Sequence, residues 1–233
     1  LRNFNSGKMM DDVSYERLQN IKLLYEKGLV NAAEKQLPKL KVFCYEYEQY
    51  ARLLEVLTFE MTFNNAQIKT NQPVYEERLR VLQVLQNITH LNQIYGSMME
   101  IATNSGHENS KRKKEIESLM NNPLLSEKAL CGEPDELYAL WNVFFVYHYL
   151  RKEFRKSYLA KKKQFELYRT TNVFIKTRPT THLLMLGNLV SLAYNIPDVA
   201  EFEFAYNEML KAHEKVQGFY GLKFEQRSAF GLL

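Results

Sequence analysis

The feature of this sequence that most restricts its fold is a long segment, 74–103, in which apolar residues recur every three or four positions. The segment contains no proline, and Gly96 is its single glycine. Its apolar members are Leu79, Leu82, Leu85, Ile88, Leu91, Ile94, Tyr95, Met98 and Ile101. This spacing places them along one side of an α-helix of about eight turns. Because such a helix cannot bury that side alone, several shorter helices should pack against it; a break near Gly96 is the alternative.

The same spacing continues on both sides of the long segment. Asp11, Asp12 and Ser14 supply acceptors suited to a helix start. One apolar stripe then runs from Tyr15 to Tyr25, and a second follows Gly28. Pro38, inside the second stripe, is expected to kink or restart that helix because it lacks an amide donor. Further helices are predicted at 47–63, in a short segment after 114, and at 135–151, 154–170, 180–195 and 197–216. No useful length alternates with period two, so the sequence predicts an all-α fold of about nine helices in antiparallel pairs.

Composition restricts the class of protein further. The 233 residues are 45% hydrophobic and 25% charged, with 9 glycines and 6 prolines, which is typical of a globular helical chain. Cys44 and Cys131 lie far apart and fit neither a disulfide framework nor a zinc motif. We find no apolar run long enough to span a membrane and no signal peptide, so a cytoplasmic location is predicted.

The sequence predicts a single helical-repeat domain over 12–216. Residues 1–11 are polar and unpatterned and are expected to be a loose end. Residues 217–233 are expected to be a tail or the start of a further element. The chain begins with Leu1 rather than methionine and stops at SAFGLL, so we expect it to be a piece of a longer protein.

The joint between the first two predicted helices has counterparts later in the chain. Alignment of Val30 with Phe154 and Val199 reproduces the helix–turn–helix rhythm. The glycine position is then occupied by Gly28, Lys152 and Pro197, and the small-residue position by Ala33, Ser157 and Phe202. Five residues before the reference position, the three joints carry Tyr25, Tyr149 and Tyr194.

This joint resembles a known repeat. The stretch LLYEKGLVNAAEKQLPKL, with Gly28 and Ala33, resembles a tetratricopeptide-type repeat, and HYLRKEFRKSYLAKKKQFELY resembles a second one. The resemblance implies an α-solenoid of stacked antiparallel helix pairs that binds partners through its concave side. It also implies that the first helix of each pair lines the inner groove.

The candidate binding residues follow from that resemblance. Tyr25, Tyr149 and Tyr194 share one phase in three first helices and could face a peptide or helix of a partner protein, with Lys22 and Asn142 as polar contacts. The alternative is that the three rings pack between neighbouring helices. The partner and the oligomeric state are not predicted.

A second candidate surface is basic. The helix at 151–169 carries Arg155, Lys156, Lys161, Lys162 and Lys163, whereas the final helix is acidic. Nucleic acid or another acidic ligand is therefore the alternative partner, although charged runs on helices are usually solvated faces. The sequence shows no nucleophile elbow, phosphate loop or metal-ligand spacing, so we predict no enzymatic activity, no metal and no cofactor.

Overall fold

Ten α-helices and one short 3₁₀ turn form the regular structure of the described residues, which are 6–103, 109–169 and 173–220 of a computed structural model. The helices are α1 Ser6–Glu26, α2 Val30–Glu46, α3 Tyr50–Ala66, α4 Gln72–Thr103, α5 Asn109–Leu119, α6 Pro134–Leu150, α7 Phe154–Tyr168, α8 Val173–Thr177, α9 Pro179–Tyr194 and α10 Val199–Tyr220. These residues contain no strand, which confirms the all-α prediction. The sequence predicted about nine helices, and the additional one is α8. It has five residues, which is too short for a periodic pattern.

Two helices are continuous: the expected restart at Pro38 and the alternative of a break near Gly96 do not occur. Helix α2 passes through Pro38, and α4 passes through Gly96 for a total of 32 residues. In contrast, α1 begins at Ser6, so the expectation of a loose end over 1–11 is wrong for residues 6–11. Ser14, expected at the helix start, instead donates its hydroxyl hydrogen to the carbonyl of Asp11 within the helix (2.8 Å). Residues 1–5 and 221–233 lie outside the described residues.

The chain divides into two compact units, Leu1–Gln86 and Asn87–Leu233, and α4 contributes residues to both. In the first unit, α1, α2 and α3 pack against one another. Their buried apolar side chains are Leu18, Ile21, Ala33, Leu37, Leu40, Cys44, Tyr50, Leu53, Val56, Leu57 and Phe63. The prediction of a single domain over 12–216 stays a prediction, because compact packing does not decide whether two units unfold together.

The second unit has two apolar clusters. In one, the final turns of α4 and Ile116 of α5 pack against Ala139, Leu140, Val143 and Val146 of α6. The other is formed by α7, α8, α9 and the inner side of α10. Along this unit α6 packs on α7, α7 on α9, and α9 on α10. Successive antiparallel helices therefore share their apolar sides, as the sequence predicted.

The outer side of α4 in the first unit differs from the prediction. Leu79 and Leu82, placed in the buried stripe by their spacing, are 67% and 45% exposed. The buried ridge of that segment is formed instead by Val74, Val81 and Val84. Both ridges have helical spacing, so the pattern alone does not select the side that faces the other helices.

The same joint connects three pairs of neighbouring helices. At the α1/α2, α2/α3 and α6/α7 joints, three residues separate the helices and the middle one has a left-handed backbone: Gly28 (φ 75°), Glu48 (φ 55°) and Lys152 (φ 59°). At the last of these, the amide of Lys152 donates to the carbonyl of Tyr149, and that of Glu153 donates to that of His148, each at 2.9 Å. This hydrogen-bond pair is the Schellman motif, which satisfies carbonyls at a helix end. The glycine position aligned from the sequence is therefore the left-handed position at both Gly28 and Lys152.

The α3/α4 joint has the same cap with a residue that fits it poorly. Ile68 has φ 56°, and its side chain is 97% exposed. A β-branched residue strains the left-handed conformation, because its Cβ substituents lie close to the backbone.

Replacing this isoleucine should stabilise the first unit. We expect Ile68→Gly to raise the free energy of unfolding by about 1 kcal/mol, because glycine adopts a positive φ without steric cost and no packing is lost. Urea unfolding monitored by circular dichroism measures the change. Gly28→Ala, which introduces the same strain at Gly28, should destabilise the protein, and a less stable Ile68→Gly variant would contradict the assignment.

His182 on α9 is a buried histidine beside Phe174. Its side chain is 4% exposed, its ring meets that of Phe174 edge-on at 5.8 Å, and its Nδ1 has no hydrogen-bond partner. Burial lowers the pKa of His182 from 6.5 to about 4; the positive charge of Lys215 adds to this effect, and Glu208 opposes it. The folded protein therefore keeps this imidazole neutral under mildly acidic conditions.

This histidine predicts a loss of stability in acid. Between pH 6.5 and 4 the unfolded chain binds a proton that folded His182 does not, so stability should fall by up to about 3 kcal/mol. His182→Phe should remove that part of the pH dependence, measured by urea unfolding across this range. His90→Phe, at an exposed histidine of the same unit, is the matched control and should leave the slope unchanged.

Candidate partner-binding surface of the second unit

The joint between α6 and α7 is held by charges around Glu153. Its carboxylate accepts hydrogen bonds from Arg151 Nε (3.0 Å) and Lys156 Nζ (3.1 Å) and lies 2.8 Å from His148 Nδ1. Arg151, then His148 and Lys156, lower the pKa of Glu153 to about 2. The carboxylate therefore stays ionised and holds residues from both helices at the joint.

Tyr149 is in the last turn of α6 and is half exposed (50%). Its ring meets that of Phe154, the first residue of α7, edge-on at 6.1 Å, and lies 6.1 Å from that of Phe145. These phenylalanine contacts fix the orientation of the tyrosine ring while one side remains in solvent. Such a ring loses little side-chain entropy when it binds a partner.

Tyr194 ends α9 and is 79% exposed. It has an equivalent neighbour, because the ring of Phe202 on α10 lies edge-on at 6.4 Å. Phe202 occupies the aligned position at which Ala33 is small. The large side chain of Phe202 at a position aligned with an alanine was the sequence signal for the Tyr194–Phe202 pair.

An ion pair shows that these two tyrosines belong to the same end of the second unit. Arg155 Nη1, in the first turn of α7, lies 3.8 Å from Asp198 Oδ2, which directly precedes α10. The α6/α7 and α9/α10 joints are therefore neighbours. We call this part of the second unit, with Tyr149 and Tyr194, the joint end.

The other predicted contacts lie elsewhere. Tyr25 is partly buried in the first unit, where its ring packs on those of Phe59 (5.8 Å) and Phe63 (5.5 Å), and Lys22 is partly buried on the same helix. Asn142 is partly buried on α6, and its Oδ1 accepts a hydrogen bond from Lys161 Nζ at 3.0 Å. The ring of Tyr25 therefore packs within the first unit. The side-chain carbonyl of Asn142 is hydrogen-bonded to Lys161 within the second unit.

The predicted basic patch is paired with carboxylates. Lys156 binds Glu153, Arg155 lies near Asp198, and Lys163 Nζ lies 3.5 Å from Glu127. Lys163 also stacks over the ring of Trp141 at 3.8 Å. Asp198 and Glu127 lie outside the predicted basic helix at 151–169, so the sequence of that helix alone did not reveal this compensation.

Lys162 connects α7 to the acidic helix α10. Its Nζ lies 2.9 and 2.7 Å from the two carboxylate oxygens of Glu201, which also accepts the Tyr158 hydroxyl at 2.6 Å. Lys162, then Tyr158, lower the pKa of Glu201, while burial and this carboxylate raise the pKa of Tyr158. The opposite charges of the two helices thus meet where α7 and α10 lie side by side, in a partly exposed ion pair.

Lys161 contradicts the prediction of an exposed basic residue, since it is only 3% exposed. Its Nζ donates to Asn142 Oδ1 and to Gln164 Oε1 (2.8 Å), and lies 4.1 Å from the centre of the Phe145 ring. No carboxylate is among these contacts, and burial lowers the pKa of Lys161 to about 7. Helices α6 and α7 thus enclose an amine among neutral groups, a placement that hydrophobic spacing does not reveal.

The described part of the chain contains no cluster of three His, Cys, Asp or Glu side chains that could hold a metal ion. Within the same ranges no helix is both long enough and apolar enough to cross a bilayer. Comparisons with protein-family models, curated proteins and solved structures gave no match.

The enclosed lysine predicts a stability change in mild alkali. The pKa of Lys161 is 10.5 in the unfolded chain and about 7 in the folded protein. Between these values the folded amine loses its proton while the unfolded amine keeps it. Stability should therefore rise by about 2 kcal/mol between pH 7 and about pH 9. Lys161→Met should lack this rise in urea unfolding, whereas Lys156→Met, at an exposed lysine of the same helix, should retain it. Equal slopes in wild type and Lys161→Met would contradict the neutral-amine assignment.

Proposed function

We propose that this protein is a non-enzymatic interaction module of tetratricopeptide-like helix pairs, whose joint end binds a peptide or helix of a partner protein. The observation that carries the proposal is the exposure of Tyr149 and Tyr194 at one end of the second unit. Each ring is oriented by a phenylalanine of the next helix. Aromatic rings that are both fixed and exposed are typical of residues that dominate binding at interfaces.

The packing order supports the repeat part of the proposal. In the second unit α6 packs on α7, α7 on α9 and α9 on α10, and the α6/α7 joint has the same length and cap as the α1/α2 joint. A stacked array leaves its joint ends accessible because the core lies between the helices. A cytoplasmic location belongs to the same proposal.

The charges favour a protein over nucleic acid as the partner. Arg155, Lys156, Lys162 and Lys163 each lie within 4 Å of a carboxylate, and Lys161 is enclosed. A phosphate backbone would have to displace those carboxylates before it gained the same contacts, which weakens the electrostatic gain.

The proposal predicts that both tyrosines touch the same partner. A photoreactive phenylalanine analogue introduced at 149 or at 194 should crosslink one common protein in cells. The same analogue at Leu159, which is 49% exposed on α7 of the same unit, is the matched control and should not. Two unrelated sets of crosslinked proteins, or equal crosslinking from position 159, would contradict a shared site.

Affinity should depend on the same rings. With the crosslinked partner purified, Tyr149→Ala and Tyr194→Ala should each raise the dissociation constant about tenfold or more, because truncation of an aromatic that dominates an interface costs about 2 kcal/mol or more. Leu159→Ala should change it less than about twofold. Circular dichroism of each variant checks that the helices remain, and unchanged affinity in both tyrosine variants would refute the proposal.

A further inference from the structure

The joint end has more bases than acids. Its two joint segments, 151–156 and 195–198, together contain four lysine and arginine residues and two carboxylates, Glu153 and Asp198. Both carboxylates already have donors within the protein. Glu153 binds the bases around it, and Asp198 Oδ1 accepts the backbone N–H of Glu201 at 3.3 Å as the N-terminal cap of α10. These two acids therefore do not compensate all the positive charge of the joint end.

Lys152 is the base that has no counter-charge. It is exposed in the middle of the α6/α7 joint, and it forms no ion pair with any residue that the structure describes. Its backbone amide donates to the carbonyl of Tyr149 at 2.9 Å, so the left-handed cap fixes this lysine close to that tyrosine. An exposed ammonium group is thus held beside one of the two candidate binding rings.

Arg155 is only weakly engaged. Its side chain is 68% exposed, and its ion-pair contact with Asp198 Oδ2 is 3.8 Å long, which exceeds the length of a hydrogen bond. Arg155 directly follows Phe154, whose ring orients Tyr149, and its contact with Asp198 brings it to the joint that follows Tyr194. The guanidinium therefore lies where the two joints meet, and it has N–H donors to spare.

We propose that the segment bound at the joint end is acidic, so that its carboxylates bind Lys152 and Arg155 while an adjacent apolar or aromatic side chain contacts Tyr149 and Tyr194. This inference rests on the proposed partner binding and adds the chemical class of the ligand. A carboxylate suits the site because the planar fork of arginine matches its two oxygens. A phosphate backbone suits it less, because binding to nucleic acid depends on many bases and this surface offers two.

The rings and the charges of the joint end make different contributions. Truncation of a ring that dominates an interface weakens binding about tenfold or more, whereas loss of an exposed ion pair weakens it about fivefold or less. Complementary charges mainly accelerate association and discriminate between partners. The tyrosines therefore determine whether a segment binds, and Lys152 and Arg155 determine which segments bind.

Selection from a phage-displayed library of random dodecapeptides on the immobilised full chain tests the inference. Peptides selected on the wild type should contain Asp and Glu at about twice or more their frequency in the unselected library, because the surface attracts carboxylates. Selection on a Lys152→Gly, Arg155→Gln double variant should lose this enrichment. Lys39→Gln, at an exposed lysine of α2 in the first unit, is the matched control and should retain it.

The glycine substitution separates binding from folding. Glycine suits the left-handed backbone at position 152 (φ 59°), so Lys152→Gly should be at least as stable as the wild type in urea unfolding. For one selected peptide, Lys152→Gly should raise the dissociation constant about three- to fivefold, and replacement of the acidic residues of the peptide by Asn and Gln should have a similar effect. The two changes together should weaken binding by less than the product of their separate effects, because they remove the same ion pair.

Failure of this inference is distinguishable from failure of the partner-binding proposal. Selected peptides that are lost in Tyr149→Ala but are not enriched in acidic residues would overturn the inference and leave the binding surface in place. Selection that yields no peptide dependent on Tyr149 or Tyr194 would overturn the binding surface, and the inference with it. A single-stranded oligonucleotide that binds more tightly than the selected peptides, and is released by Lys152→Gly, would overturn the assignment of an acidic peptide.

Discussion

The sharing of apolar sides between antiparallel helices is the constraint on which the rest of this structure depends. Neither helix of a pair such as α6 and α7 can bury its apolar side alone. The joint must therefore reverse the chain so that the second helix lies antiparallel to the first, with the two apolar sides in contact. A three-residue joint with a left-handed middle residue does this at Gly28, Glu48 and Lys152. The caps are formed largely by backbone hydrogen bonds, which explains why side chains as different as glycine, glutamate and lysine occupy the same position.

Once the helices are paired, the bases of α7 lie beside carboxylates from neighbouring segments. The excess of bases on α7 is met by Glu201 and Asp198 at the start of α10, and by Glu153 and Glu127 beside the helix. Lys161 is the exception, because its amine lies among two amide oxygens and an aromatic ring. An enclosed amine without a counter-charge lowers stability while it is protonated, although its hydrogen bond to Asn142 connects α7 to α6.

Core formation leaves aromatic rings exposed at the joint end of the second unit. Tyr149 and Tyr194 lie in the last turns of α6 and α9, and each is oriented by a phenylalanine of the next helix. This is a small surface of fixed rings, which suits a peptide or short helix.

The sequence by itself determined the all-α class, the positions of the long helix and the later pairs, and the joint that Gly28 and Lys152 share. These depend on local spacing and on turn chemistry, which neighbouring residues fix. Tertiary structure alone decided which of two apolar ridges is buried, so that Val81 and Val84 are inside and Leu79 and Leu82 outside. It also placed Lys161 in the interior and paired the basic helix with α10. Those choices depend on contacts between residues far apart in the chain, whose partners a helical period does not specify.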